Sequence, residues 1–526
     1  MTSSIFNASA APAVVNSPTL PDAASSVAPT IAVATPLPVN TEPVRTLASR
    51  FIILMLCIAL VLSALAFGTV HSWSLGALQM SAGAVVFFWY VDGWRSKRFR
   101  VSRNVLQWPL LGLVIIGLVQ LLPLGGGGGN IDAGFLSAEP VRSLSLDPYT
   151  TRLVVVQIAS LLVYFAAALA FIDTPRRLRL IARVIIIFGF VLAMFSMMQF
   201  FVSPDKIFGI RESKQALGFG PFINRHHFAG YMELTMGLPL GLLLAGAIEG
   251  DRRLLYGFAA GLMGVALVMT NSRGGIISLA AEILFLFTVF GVRYWKRSRT
   301  EDGAAGQQRR LRAVIVSVAL CFTLIIGIFS AALFFGGEAS LSRLLGTVNA
   351  DDPTTGRAHF WSVTLNIIHD HPVIGAGLGA FGVAYTRYDT RNGLYRLEQA
   401  HNDYLQALSD AGIIGAALGI FFVVALFRMG FTRAESKDKF RRGIATGALA
   451  GCFAVLVHSF FDFTLHTTSN ALLFLVLAAL ATINGRVEQV SSGRRKRRRR
   501  KRIHSDDPEI EPAAITAPAL ETLEKV

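Results

Sequence analysis

Apolar residues in this chain do not alternate with polar ones as they would along a strand, nor do they recur at the three- and four-residue spacing of a half-exposed helix. They come in unbroken runs of the length, ~20 residues, that a helix needs to cross the hydrocarbon of a bilayer. Twelve such runs stand at approximately 51–70, 73–91, 105–124, 152–172, 180–201, 227–248, 254–270, 274–292, 313–335, 411–427, 443–461 and 470–487. They predict an all-α polytopic membrane protein of about twelve transmembrane helices. The seventh and eighth runs are separated only by a short Asn-Ser-Arg-Gly turn.

The polar positions between the runs are as ordered as the runs themselves. Every second loop is basic: Arg95 to Arg103 after the second run, Arg176, Arg177 and Arg179 after the fourth, Arg252 and Arg253 after the sixth, Arg293 to Arg312 after the eighth, Arg428 to Arg442 after the tenth. Lysine and arginine in short loops stay on the cytoplasmic side, so these loops and both termini are expected there. The loops 125–151, 202–226, 271–275, 336–410 and 462–469 then face the periplasm. The stretch 336–410, between the ninth and tenth runs, is too long for a plain connection, because structureless loops beyond about 15 residues are uncommon unless functional. It has helical patterns of its own and holds most of the polar aromatic and histidine residues, so chemistry is expected there. Residues 46–487 read as one membrane domain. Residues 1–45, rich in Ala, Ser, Thr and Pro and nearly uncharged, read as a disordered cytoplasmic tail without the basic start of a cleaved signal. Residues 488–526 read as a basic and then acidic cytoplasmic tail.

Composition narrows the class. Of the 526 residues, 53% are hydrophobic and only 16% charged, against about 25% charged in an ordinary soluble domain. That excludes a soluble enzyme. The formal net charge of +16 is concentrated: Arg494 to Arg502 is nine consecutive basic residues, without which the excess is 16 − 9 = +7. A basic block beside a final span anchors to anionic inner-membrane lipids, so nucleic acid is not an expected partner. Cys57, Cys321 and Cys452 lie in apolar runs, which points to neither a disulfide framework nor a structural zinc.

Five places carry candidate chemistry. In the long loop, Asp352-Pro353 precedes a helix-like run ending at His371-Pro372, within which Arg357 and Trp361 share a face at i, i+4. The glycines 375, 377, 379 and 382 follow. They formally match G-x-G-x-x-G, but no βαβ unit surrounds them, so a tight turn feeding an extended segment is expected rather than a dinucleotide site. Third is Gln399-Ala-His401-Asn402-Asp-Tyr-Leu405, where Leu405 and Leu408 would share a helical face with His401 and dock it on the membrane domain; a histidine so placed is more often structural than catalytic. Last come the turn with Arg273, where snorkelling to a lipid phosphate competes with a site role, and the cluster Asn224-Arg225-His226-His227. Adjacent histidines on a helix point about 100° apart and rarely share one ion, so headgroup or acceptor binding is expected and no metal. Glu233, Glu282, His458 and Asp462 are further buried polar candidates, each of which also suits plain helix–helix tying.

In their order along the chain, Asn224-Arg-His-His-Phe-Ala-Gly230, Ser272-Arg-Gly-Gly275, Gly356-Arg357 with Trp361, His371-Pro372 with Gly375, Gly377 and Phe381, His401-Asn402 with Leu405, and Gly412 with Gly415 resemble the O-antigen ligase and O-antigen polymerase superfamily. The resemblance covers roughly residues 180–485. It implies a GT-C-like membrane glycosyltransferase that moves a glycan from an undecaprenyl diphosphate-linked donor to a lipid or glycan acceptor at the periplasmic face of the bacterial inner membrane, with no cofactor. It also implies catalytic roles for His401, Arg273 and Arg357, with Asn224, Arg225, His226, Trp361 and Asn402 around the substrate. The chemistry agrees: breaking a glycosyl–diphosphate bond builds negative charge that two arginines can hold without a metal, and an imidazole, with an ordinary pKa of about 6.5, suits a general base. A transporter of an anion or glycan is the alternative class, but no repeat between the chain halves is apparent.

Overall fold

The computed structural model describes residues 46–124, 143–212, 218–298, 326–327, 330, 357–391 and 397–483. The two tails, the glycine run at 125–129 and all but residues 326–327 and 330 of the ninth predicted span lie outside the described residues. Within them the chain is helical, with a single two-stranded antiparallel hairpin, Lys206–Ile207 with Arg211–Glu212. Eight helices are long and apolar enough to cross a membrane, and Gln107–Gln120 and Thr468–Thr482 are shorter apolar ones. The protein is therefore an all-α polytopic membrane protein.

The helices are α1 (Leu47–Leu65), α2 (Ser72–Ser96), α3 (Gln107–Gln120), α4 (Pro148–Phe171), α5 (Pro175–Val202), α6 (Arg225–Leu244), α7 (Arg252–Met269) and α8 (Arg273–Ser298). After them come α9 (Arg357–Asp370), α10 (Phe381–Tyr388), α11 (Asp403–Ala434), α12 (Lys439–His458) and α13 (Thr468–Thr482). Eleven of the twelve predicted runs coincide with one of these helices. Caps explain several starts: Thr46, Asp147, Thr174, Asn224, Asn402 and Asp438 each accept a backbone N–H of the first turn, satisfying donors that a helix end leaves open.

Helices α6 and α12 form the centre. Lipid is as apolar as leucine, so helices in a bilayer associate by close packing of small residues rather than by hydrophobic burial. Gly237 and Gly241 of α6 face Gly443, Gly447 and Gly451 of α12 at four-residue spacing. A Cβ on Gly241 would stand 2.5 Å from the Gly443 carbonyl oxygen. This contact of backbones brings Glu233 and His458, near one end of the pair, within reach of each other.

The long loop folds onto the same end. His371-Pro372 does stop α9, but the glycine turn after it leads into α10, not into an extended segment. Gly375 (φ +78°), Gly377 (φ +127°) and Gly379 (φ +76°) turn the chain so that its backbone can dock on a break in α11. At that break Gly412 takes φ +62°, ψ −164°. The freed groups are re-paired by the turn: Ile413 N–H donates to Pro372 O (2.8 Å) and Ala376 N–H to Ser409 O (2.8 Å). Non-helical backbone beside a membrane domain persists only when its polar groups are satisfied in this way. Across the loop, His359 of α9 bonds Asp389 beyond α10 at 2.9 Å, and Tyr388 Oη donates to Asp370 (2.6 Å).

Candidate functional site

Helix ends bring the polar residues together. The N-termini of α6, α8, α9 and α11 and the C-terminus of α12 meet at one face of the bundle, beside the turn 458–467 that links α12 to α13. Its centre is Asp462, 1% exposed at the side chain. His401 donates Nδ1–H to Asp462 Oδ1 at 3.3 Å, and Arg357 donates Nη2–H to Oδ2 at 3.4 Å. His226 Nδ1 lies 3.8 Å from Oδ2. Burial pushes the Asp462 carboxyl up, but the His401 hydrogen bond and the electrostatic influence of the facing imidazoles of His226, His401 and His227 outweigh it and hold it well below the usual carboxylate range. Asp462 is thus a fixed negative charge in a dry setting.

His401 does not lie on a helical face with Leu405 and Leu408. Helix α11 starts at Asp403, and His401 stands two residues ahead with φ +53°. Left-handed backbone is costly for a residue with a Cβ and is held only where its surroundings impose it. Those surroundings are on three sides. The Trp361 indole N–H donates to Ala400 O (3.2 Å) behind it. Asn402 ahead caps α11, accepting the N–H groups of Tyr404 and Leu405, and donates Nδ2–H to Phe460 O (3.2 Å). The ring itself sits edge-on to Phe463, centroids 4.9 Å apart, and over Phe360 at 6.2 Å. With Nδ1 turned to Asp462, Nε2 is the ring nitrogen left for a substrate.

The other expected site residues take their places around this centre. Arg273 is not in a turn: it is the first residue of α8, directly after Ser272, and its side chain is exposed. Arg225 opens α6, half-buried, behind the cap Asn224, whose side chain accepts His226 N–H at 2.9 Å. His226 and His227 diverge, as their adjacency requires. His226 Nδ1 meets Ser272 Oγ at 2.7 Å, whereas His227 is buried edge-on to Phe463 with centroids 4.8 Å apart. Among the described residues no group of three or more His, Cys, Asp or Glu is arranged to hold a metal ion.

Two sets of residues were underrated from sequence. In sequence Asp462 is one polar residue among several near the end of a span; its place in a predicted periplasmic loop, flanked by His458 and His466, is the available signal. The pair Asp403 and His466 had none. His466 Nδ1 bonds Asp403 Oδ1 at 2.6 Å, and Ser459 Oγ donates to Asp403 Oδ2 at 2.7 Å. This clamp ties the start of α11, just after His401, to the turn that carries Asp462.

The membrane bundle thus gathers a histidine, a buried carboxylate and several arginines at one face. Residues 258–420 match the family model described as O-antigen ligase, a window that contains Arg273, Arg357 and His401. The chain is also 26% identical over 223 residues to the exopolysaccharide production protein ExoQ of Rhizobium meliloti (strain 1021), covering 40% of this chain and 48% of that protein. The chain thus aligns with about half the length of this curated relative. The matched part of the chain is similar to the O-antigen ligase family and to an exopolysaccharide production protein.

Proposed function

We propose that this protein transfers a glycan from undecaprenyl diphosphate to an acceptor hydroxyl at the periplasmic face of the bacterial inner membrane, without a metal ion. The observation that carries the reading is the convergence of His401 and Arg357, from opposite ends of the long loop, on the buried carboxylate of Asp462.

In this reading His401 Nε2 takes the proton of the attacking hydroxyl. The hydroxyl oxygen bonds the anomeric carbon as the bond from that carbon to the diphosphate oxygen breaks, with inversion. Asp462 fixes the ring's tautomer and steadies the imidazolium that forms. Arg357 has five N–H donors, and Asp462 engages one edge of a side chain that is 26% exposed, so other donors remain for the leaving diphosphate. Arg273 adds a second guanidinium at the N-terminus of α8, where the helix dipole also favours an anion. Preorganised positive charge of this kind lowers the barrier by several kcal/mol where water is excluded.

With a purified lipid-linked donor and its acceptor, His401→Ala is expected to abolish transfer while the protein still inserts and stays folded. Wild-type transfer should survive EDTA. Full activity in His401→Ala would remove the base, and loss of activity in EDTA restored by Mg²⁺ would remove the arginine account.

A further inference from the structure

Behind the site a second polar chain runs into the bundle and takes no part in the transfer just described. His458, 0% exposed, donates Nδ1–H to Glu233 Oε1 at 2.9 Å. Ser278 Oγ donates to the same oxygen at 2.7 Å. The other face of His458 turns to Ser272, Nε2 to Oγ at 3.5 Å, and Ser272 Oγ reaches His226 Nδ1 at 2.7 Å. Gly274 leaves room for this: a Cβ there would lie 2.8 Å from His458 Cδ2. Near Glu233 lies Glu282, fully buried, neither of whose oxygens has a hydrogen-bond partner among the described residues. Glu233 is the carboxylate that faces His458, its Oε1 accepting from both His458 and Ser278.

Proton counting along the chain decides how His226 is presented. Ser272 Oγ accepts Gly275 N–H at 3.1 Å. When Glu233 holds His458 doubly protonated, Oγ also accepts His458 Nε2–H. Both lone pairs are then used, and the hydroxyl hydrogen must point to His226 Nδ1. That nitrogen becomes an acceptor, and the ring's proton sits on Nε2. We propose that Glu233, His458 and Ser272 are positioning residues that set the tautomer of His226, so that it offers Nε2–H to the substrate as a neutral hydrogen-bond donor. The charged groups facing His226 are Asp462, Arg225, His458 and Arg357. The inference rests on the transferase reading for its purpose, but the tautomer stands apart from it. The two histidines beside Asp462 then differ in kind: His401 presents a bare Nε2 that accepts a proton, and His226 presents an N–H that bonds an oxygen of the sugar or the diphosphate.

The test is ¹⁵N NMR of full-length, histidine-labelled protein in lipid nanodiscs, with His226 assigned by its loss in His226→Gln. Wild type is expected to show unprotonated Nδ1 and protonated Nε2. In Glu233→Gln the neutral His458 offers Nε2 as an acceptor, Ser272 turns its hydrogen there, and the His226 proton moves to Nδ1. Glu233→Asp keeps the wild-type tautomer. If Glu233→Gln does not fold, Ser272→Ala replaces it and should likewise release His226 from the Nε2–H form. Transfer should fall about tenfold in kcat/KM in either variant, the usual effect of losing one oriented hydrogen bond to the substrate. A wild-type ring protonated on Nδ1, or the same tautomer in wild type and both variants, would overturn the relay. Absence of glycan transfer by wild type would instead end the transferase reading and leave the NMR result to judge the relay.

Discussion

His401 illustrates what a single residue owes to its neighbours. Its left-handed backbone is imposed by a cap, an indole and two phenyl rings, and its ring is aimed by Asp462. Removing the charge of Asp462 while keeping its shape therefore tests aim rather than folding. Asp462→Asn is expected to lower kcat on the order of 10²-fold or more with the KM for the donor little changed, as steady-state transfer kinetics would show. The neighbouring clamp is read through pH. Burial pushes His466 down, but the hydrogen bond and charge of Asp403, with the charge of Asp410, push it up further. A folded pKa above the unfolded one means stability that is complete below about pH 6.5 and is lost as pH rises through the raised value. The melting-temperature gap between wild type and His466→Gln should accordingly be widest near pH 6 and close as the medium becomes alkaline. A gap that widens in alkali would show that the pair does not carry charge.

Among the elements, the contact of α6 with α12 has the narrowest tolerance. Gly447 meets the backbone of Gly237 and Leu238, so no side chain can enter without parting the helices. Gly447→Leu should destabilise the bundle by at least the ~1–3 kcal/mol typical of overpacking, seen as a lower melting temperature in detergent. A substitution on the lipid-facing side of α5, such as Met198→Leu where the side chain is 63% exposed, should change it little. The paired glycines stand at four-residue spacing in runs that already read as spans, so the helices were legible. Which glycine faces which was not, because a run that is apolar all round has no polar face to orient it. Helix α6 is an extreme case, with residues from His227 to Pro239 all buried.

At the scale of the whole molecule, the described helices sort their ends by charge. Arg441 donates to the carbonyls of Leu480, Ala481 and Ile483, Arg442 to Ala245, and Arg177 to Ser49, all at the face opposite Asp462. The loops predicted cytoplasmic thus gather at one end of the bundle and the candidate site at the other. Single cysteines introduced into a Cys57→Ala, Cys321→Ala, Cys452→Ala background test the sidedness. Ile210→Cys, in the exposed hairpin on the site face, should react with an impermeant maleimide from the periplasm, and Arg433→Cys only after the cells are opened. The reverse pattern would place His401 in the cytoplasm, away from a periplasmic acceptor.

Hydrophobic run length and the alternation of basic loops were enough to establish the class of protein, the helices and the faces on which their loops gather, because those signals are local and a bilayer demands them of any chain. The order of the motifs also singled out Arg273, Arg357 and His401 as candidates, of which Arg357 and His401 meet at Asp462. What required the folded molecule was everything that joins distant parts of the chain. The carboxylate from 462 orients a histidine from 401, a serine at 272 links histidines from 226 and 458, and a broken helix at 412 receives a turn from 372–379. Each of these is a hydrogen bond between groups far apart in sequence, and neither residue type nor spacing specifies a partner until packing has brought it within about 3 Å.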